Sequence, residues 1–252
     1  MMLLRMSYSV VVGLVFALVA LTAEHAANRW LLPRRWIWAG SLAATFAASA
    51  VLWTMAAPAA PPSFAAVSSP QVTRALQALW VLASAGVAAV LLLSAENLRL
   101  RRRRWTMARV DDVDVLVTDG LGPAVVGLFR PVIAMPRWVL RAPDGQRRSI
   151  VLREAEHLEA GDHTLIAFAM GAVALMPWNM PLWFHLRRLR VAIAKDCDAR
   201  VLDHLLDAET SAEPVIEVSR EPTPTARPTV IHVDSYLGWH PDAAPQTPQR
   251  AD

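Results

Sequence analysis

The chain has 252 residues, 54% of them apolar and 19% charged, with a formal net charge of +3 and a mean hydropathy of +0.31. That apolar content excludes an ordinary soluble domain and points to the membrane class. The basic excess lies in arginine clusters at the ends of apolar runs, so it reads as a topology signal and not as a nucleic-acid footprint.

Met6 to Ala23 is uncharged and long enough to cross a hydrocarbon layer of roughly 30 Å. A signal peptide is the alternative, with Arg5 as its basic start. No clear A-x-A site follows, and Arg29, Arg34 and Arg35 would then be exported, which favours an uncleaved span. A second span is predicted from Trp36 to Ala57, with Trp30, Trp36 and Trp38 at the interface. Pro58 to Pro70 is an uncharged Pro, Ala and Ser loop that suits the outer face. The third span, Ala75 to Ala95, runs into RLRRRR at Arg99 to Arg104, the strongest inside marker in the chain. Residues 1–104 therefore read as a membrane domain of three transmembrane helices, with the N-terminus outside and the chain entering the cytoplasm at Arg99.

After Trp105 short β-branched runs are punctuated by Gly and Pro. Val113 to Val117, Ala124 to Val126 and Val132 to Met135 are predicted strands of a small antiparallel sheet. Pro136 leads into a short helix over Arg137 to Arg141, and a turn at Pro143 to Gly145 precedes a helix over Gln146 to Ala160. The sheet either offers its edge to an extended peptide or simply covers that helix.

Within the Gln146 to Ala160 helix, Glu154 and His157 stand three positions apart and share a face. This is the second half of HExxH, in which two histidines hold zinc and the glutamate is the general base. Arg153 occupies the first histidine position, and a guanidinium has donors only. Gly161 is expected to close this helix and Asp162 to cap the next. Thr164 to Met176 spans 13 residues, about 20 Å, which is short for a crossing. The PWNMP break at Pro177 to Pro181 then suggests a partly inserted hydrophobic hairpin over 164–186, turning near Asn179 and returning to the side it left. A straight crossing would instead export the Arg187 to Arg190 cluster.

Four stretches in order, GPAVVGLFRPVIAMP at Gly122 to Pro136, REAEHLEAGDH, MPWNMPLW and DCDARVL, resemble the BlaR/MecR-type membrane metallopeptidases. The likeness covers roughly Met6 to Leu206. These are the sensor-transducers of β-lactam resistance and their relatives. The resemblance implies an α-helical membrane protein with a small α+β, gluzincin-like metallopeptidase domain over 105–206, a bound zinc ion and cleavage of a cytoplasmic target such as a repressor. In that family a glutamate shortly before the Cys-Asp pair is the third ligand. Carried onto this chain, Glu154 takes the place of the general base and His157 that of the second histidine ligand. Arg153 replaces the first histidine, and Ala194 stands where the third-ligand glutamate is expected. Asp198 resembles the carboxylate that orients a ligand histidine. With one ligand retained, zinc is expected to be absent or weakly held. Asp196, Asp198, Glu156 and His163 are conceivable substitutes, although Glu156 lies about 200° round the helix from Glu154. The family's longer members carry an external ligand-binding domain, and without one β-lactam sensing is not expected here.

Cys197, the only cysteine, is flanked by Asp196 and Asp198 and sits on the apolar stripe Ile193, Cys197, Val201, Leu205, so it reads as a packed thiol, not a nucleophile. A disulfide or redox pair within the chain is excluded. His185 and His204 are expected at the surface or an interface. Residues 207–252 are Pro-rich and read as a mostly disordered tail, with Thr229 to Leu237 a short strand or docking segment. Two functions are consistent with these signals. One is signal transduction by metallopeptidase cleavage of a cytoplasmic regulator, with catalysis impaired or lost. The other is a noncatalytic regulatory scaffold in which Arg153 fills the vacated metal site and pairs with Glu154 or a neighbouring aspartate. The expected setting is a bacterial-type cytoplasmic membrane, and the expected partners are the lipid bilayer and a cytoplasmic regulator or repressor. A homodimer stays open, and nucleic acid is not expected.

Overall fold

The computed structural model describes residues 2–30, 32–54 and 69–211. Uncharged apolar runs can satisfy their backbone groups in lipid only by closing on themselves as helices. The first three do so: α1 Met2–Trp30, α2 Arg34–Thr54 and α3 Pro70–Arg102. Among the described residues these are the three helices long and apolar enough to cross a membrane. Helix α1 begins before and ends beyond the predicted Met6 to Ala23, and α3 outruns Ala75 to Ala95 at both ends, because backbone hydrogen bonding continues where hydrophobicity stops. Helix α3 opens with Pro70 at its first turn and the Ser69 side chain accepting from the Val72 N–H.

The sheet follows as β1 Thr106–Val110, β2 Val113–Thr118, β3 Ala124–Val126 and β4 Val132–Pro136, in the order β1-β2-β4-β3. Two corrections to the predicted sheet arise here. Strand β1 (TMARV) escaped notice because it is largely exposed and carries an arginine. It forms a hairpin with β2 through Asp111 and Asp112, both at positive φ (48° and 65°), as a tight two-residue turn demands. The sheet is also mixed, not antiparallel: β3 takes one edge of β4 antiparallel, and β4 meets β2 parallel on the other, with Val115 opposite Ile133.

Next come α4 Arg137–Leu140, α5 Asp144–Glu159, α6 Asp162–Leu175 and α7 Met180–Ser211. Val151 of α5 packs with Val139, Val115, Ile133 and Met135, so α5 lies against the sheet.

A second core lies among α1, α2, α6 and α7, where Ala20, Trp38, Leu42, Val173, Leu182 and Leu189 are buried together. Antiparallel packing of α7 on α2 is recorded at three levels. The Arg35 N–H donates to Asp196 Oδ2 at 2.8 Å, Ser41 Oγ meets His185 Nε2 at 2.9 Å, and a Cβ added at Gly13 would lie 2.6 Å from Pro181 and 3.2 Å from Thr45. From Arg35 to Thr45 is ten residues, about 15 Å. The α6–α7 hairpin therefore runs about 15 Å along α2 and comes back to the level at which it started. Its turn is closed by the Asn179 N–H on Met176 O and the Leu182 N–H on Asn179 O, each at 3.0 Å. The carbonyl of Leu175, which ends α6, accepts from Trp80 Nε1 at 2.8 Å and Ser84 Oγ at 3.3 Å, both on α3. Away from water that carbonyl would otherwise be unpaired, at a cost of several kcal/mol.

Some polar groups inside the bundle are partnered, whereas the buried Ser49 hydroxyl and the Asn179 side-chain amide have no hydrogen-bond partner among the described residues. Glu24 accepts from Trp38 Nε1 at 3.1 Å and pairs with Arg188, whose guanidinium lies 5.1 Å from the centroid of the Trp38 ring. His185, expected at a surface or interface, is fully buried, held by Ser41 and by Pro181 O at 2.5 Å. The return limb of the hairpin and the polar helix after it are one unbroken 32-residue helix. Residues 55–57 at the end of the predicted second span, 58–68 of the predicted outer loop, and the tail segment Thr229 to Leu237 lie outside the described residues.

Candidate active site

Helices α5 and α7 run side by side and parallel, since contacts advance together along both. Cys197 Sγ lies 3.6 Å from the Arg153 carbonyl oxygen, Arg153 Nη1 is 2.5 Å from Asp198 Oδ1, Arg200 Nε donates to Glu156 Oε2 at 2.9 Å, and His204 Nε2 is 2.9 Å from Glu156 Oε1. Glu154 is buried on the same helix. Burial raises its pKa, and the charges of His157 and Arg153 oppose that rise.

His157 is held from the following helix. Gly161 adopts φ +67°, the left-handed conformation at which the chain bends by 59° between α5 and α6, and this sets Asp162 in the first turn of α6. Gly161, and not Asp162 as expected, holds the N-cap position, and Asp162 is the first residue of the helix. Its carboxylate turns back to His157 Nδ1 at 2.8 Å through Oδ2 and accepts from Arg35 Nη1 at 2.9 Å through Oδ1. Arg200 Nη2 lies 3.6 Å away. Burial alone would lower the His157 pKa. The Asp162 hydrogen bond, the Cys197 sulfur and the Glu154 charge outweigh it and raise the pKa to about 9. At neutral pH the ring is therefore an imidazolium.

Arg153, Glu154 and His157 thus share α5 with α7 beside them. Asp198, expected to orient the histidine, is the partner of Arg153, and Asp162 takes the histidine. Among the substitute ligands considered, Asp196 is engaged by the backbone of Arg35 and Glu156 by Arg200 and His204. Asp162 and Arg35 were missed as site residues because one was read as a cap and the other as a topology charge. The available signal was the five-residue step from His157 across a glycine, which lets a carboxylate fold back on the ring.

A catalytic zinc ion needs about three protein ligands with lone pairs to give. At the positions matched to that ligand set, one histidine, His157, is present. Arg153 brings a cation and closes on Asp198, and Ala194 brings no donor atom, which leaves His157 as the retained ligand of the expected set. Among the described residues no three His, Cys, Asp or Glu side chains converge as a metal-binding group.

Apolar spanning helices, a returning hairpin and a small mixed sheet laid on an ExxH helix define an integral-membrane, peptidase-like protein. The family model described as BlaR1 peptidase M56 matches residues 5–213, and the chain belongs to that family. No curated protein matches the chain.

Proposed function

We propose that the chain is a noncatalytic regulatory member of its peptidase family, a membrane scaffold whose sheet and α5 face the cytoplasm and receive a regulator protein. The observation that carries this reading is the 2.5 Å pair between Arg153 and Asp198, where the family's chemistry calls for an imidazole lone pair. Sidedness follows from Arg99 to Arg104 at the end of α3, which the positive-inside rule keeps in the cytoplasm. Strand β3 lies at a sheet edge and gives an extended segment of the regulator a row of backbone groups to pair with.

One observation favours the rival reading, residual hydrolysis of a cytoplasmic target. Asp162 engages Nδ1 of His157 as a carboxylate does behind a metal-bound histidine. Zinc analysis of the purified full chain separates the two. Metal far below one ion per chain, unchanged in His157→Ala, is the expected result. One zinc per chain, lost in His157→Ala, would overturn the scaffold. In the double variant Arg153→His, Ala194→Glu the zinc content is expected to rise toward one, because both missing donors are then supplied.

A further inference from the structure

Beyond the last apolar residue of its span, α3 continues through Arg99, Arg101 and Arg102 to the cap at Arg103, with Arg104 next. Some of this charge is engaged. Arg99 pairs with Glu96 at 3.4 Å, Arg101 Nε donates to Asn97 at 3.2 Å, and Arg102 Nη1 donates to the Arg130 carbonyl at 3.3 Å. Among the described residues no carboxylate pairs with Arg101, Arg103 or Arg104. Beside them is a cavity of about 260 Å³, with Arg101, Arg104 and Trp105 on one wall and Thr118 and Asp119 at the end of β2 on the other. Asp119 is occupied by Arg137 at 2.6 Å.

The Arg102 bond to Arg130 ties the loop between β3 and β4 to this same corner. Gly127 bends that loop at φ +110°, where a Cβ would meet the Arg130 carbonyl oxygen at 2.7 Å. At its tip Phe129 is 93% exposed and Leu128 47% exposed. Arg102 is seven residues past Ala95, about 10 Å along the helix, so its loop lies at the level of lipid headgroups if α3 spans the bilayer. Topology alone would account for the arginines, but not for a cavity among them or an exposed phenylalanine on the loop that Arg102 holds.

We infer that this corner is a binding site for an anionic phospholipid, with Arg101 and Arg104 on the phosphate, Trp105 at the interface and Phe129 set into the acyl boundary. The inference rests on α3 spanning the bilayer and is independent of the metal site. Guanidinium forks suit phosphate oxygens, and an aromatic ring suits the layer just beneath them.

Native mass spectrometry of the full chain in detergent, offered phosphatidylglycerol or phosphatidylcholine, tests it. Phosphatidylglycerol is expected to be retained preferentially, and Arg101→Gln, Arg104→Gln together are expected to reduce that preference by about 30-fold. Equal retention of the two lipids by the unmodified chain would overturn the site without recourse to any variant. Displacement by excess inorganic phosphate would also overturn it, in favour of a free anion. A spin label at Phe129→Cys in a Cys197→Ala background, in phosphatidylglycerol bilayers, is expected to relax more with oxygen than with a nickel chelate. The opposite order would remove Phe129 from the lipid.

Discussion

Two ion pairs tie α5 to its neighbours, each with an aspartate as the anion, and they differ in the cation and in burial. Arg153 and Asp198 are each about two-fifths exposed (40% and 41%), so water screens them. His157 and Asp162 are 19% and 3% exposed, and Asp162 also takes Arg35 from the start of a membrane helix. The difference teaches how burial decides what each position can lose. An exposed donor can be exchanged for arginine with little loss of packing. Removing His157 would take a partner from a buried carboxylate that joins α2, α5 and α6.

The contrast can be broken most forcefully at its buried end. Asp162→Ala leaves Arg35 and His157 facing each other without an anion and is expected to cost about 3–5 kcal/mol, read as a fall in the unfolding temperature of the full chain in detergent. A fall no larger than that of Arg153→Ala would abolish the distinction. Gly13→Val presses a side chain into Pro181, 2.6 Å from the added Cβ, and is expected to cost about 1–3 kcal/mol by pushing the hairpin tip off α1. Unchanged stability would mean that the tip does not seat there.

A smaller effect is expected from pH. Because the His157 pKa is raised by folding, its contribution is complete below the unfolded value of about 6.5 and is lost as pH climbs through about 9. The unfolding temperature should therefore decline between those values, and Asp162→Asn should flatten the decline. A profile identical in wild type and variant would detach His157 from the carboxylate. Smallest of all, Arg153→Ala should change stability by less than about 1 kcal/mol, since both partners are half in water. A loss of several kcal/mol would make this pair as structural as the other.

The spans were legible because uncharged runs and arginine flanks are one-dimensional signals, and the family match over residues 5–213 agrees with the motifs from Gly122 onward. The hairpin was legible from PWNMP and from the short stretch before it. What escaped depends on neighbours distant in sequence. Strand β1 has no apolar alternation, and its place comes from pairing Met107 with Leu116. The parallel pairing of β2 with β4 arises because β3 claims the other edge. Glu24 fell just outside the predicted first span, and only the approach of Trp38 and Arg188 gives it a role in the bundle. Asp162 shows the same limit: local grammar makes an aspartate after glycine a cap, whereas the fold brings it Arg35, His157 and Arg200.

Helix α7 runs from Pro181, deep beside α1, to Asp198 and Arg200 at α5 without a break. Those 17 residues form a rod of about 25 Å that has no joint to absorb motion. A tilt of about 5° at the sunken end would therefore sweep Asp198 through about 2 Å, enough to part it from Arg153.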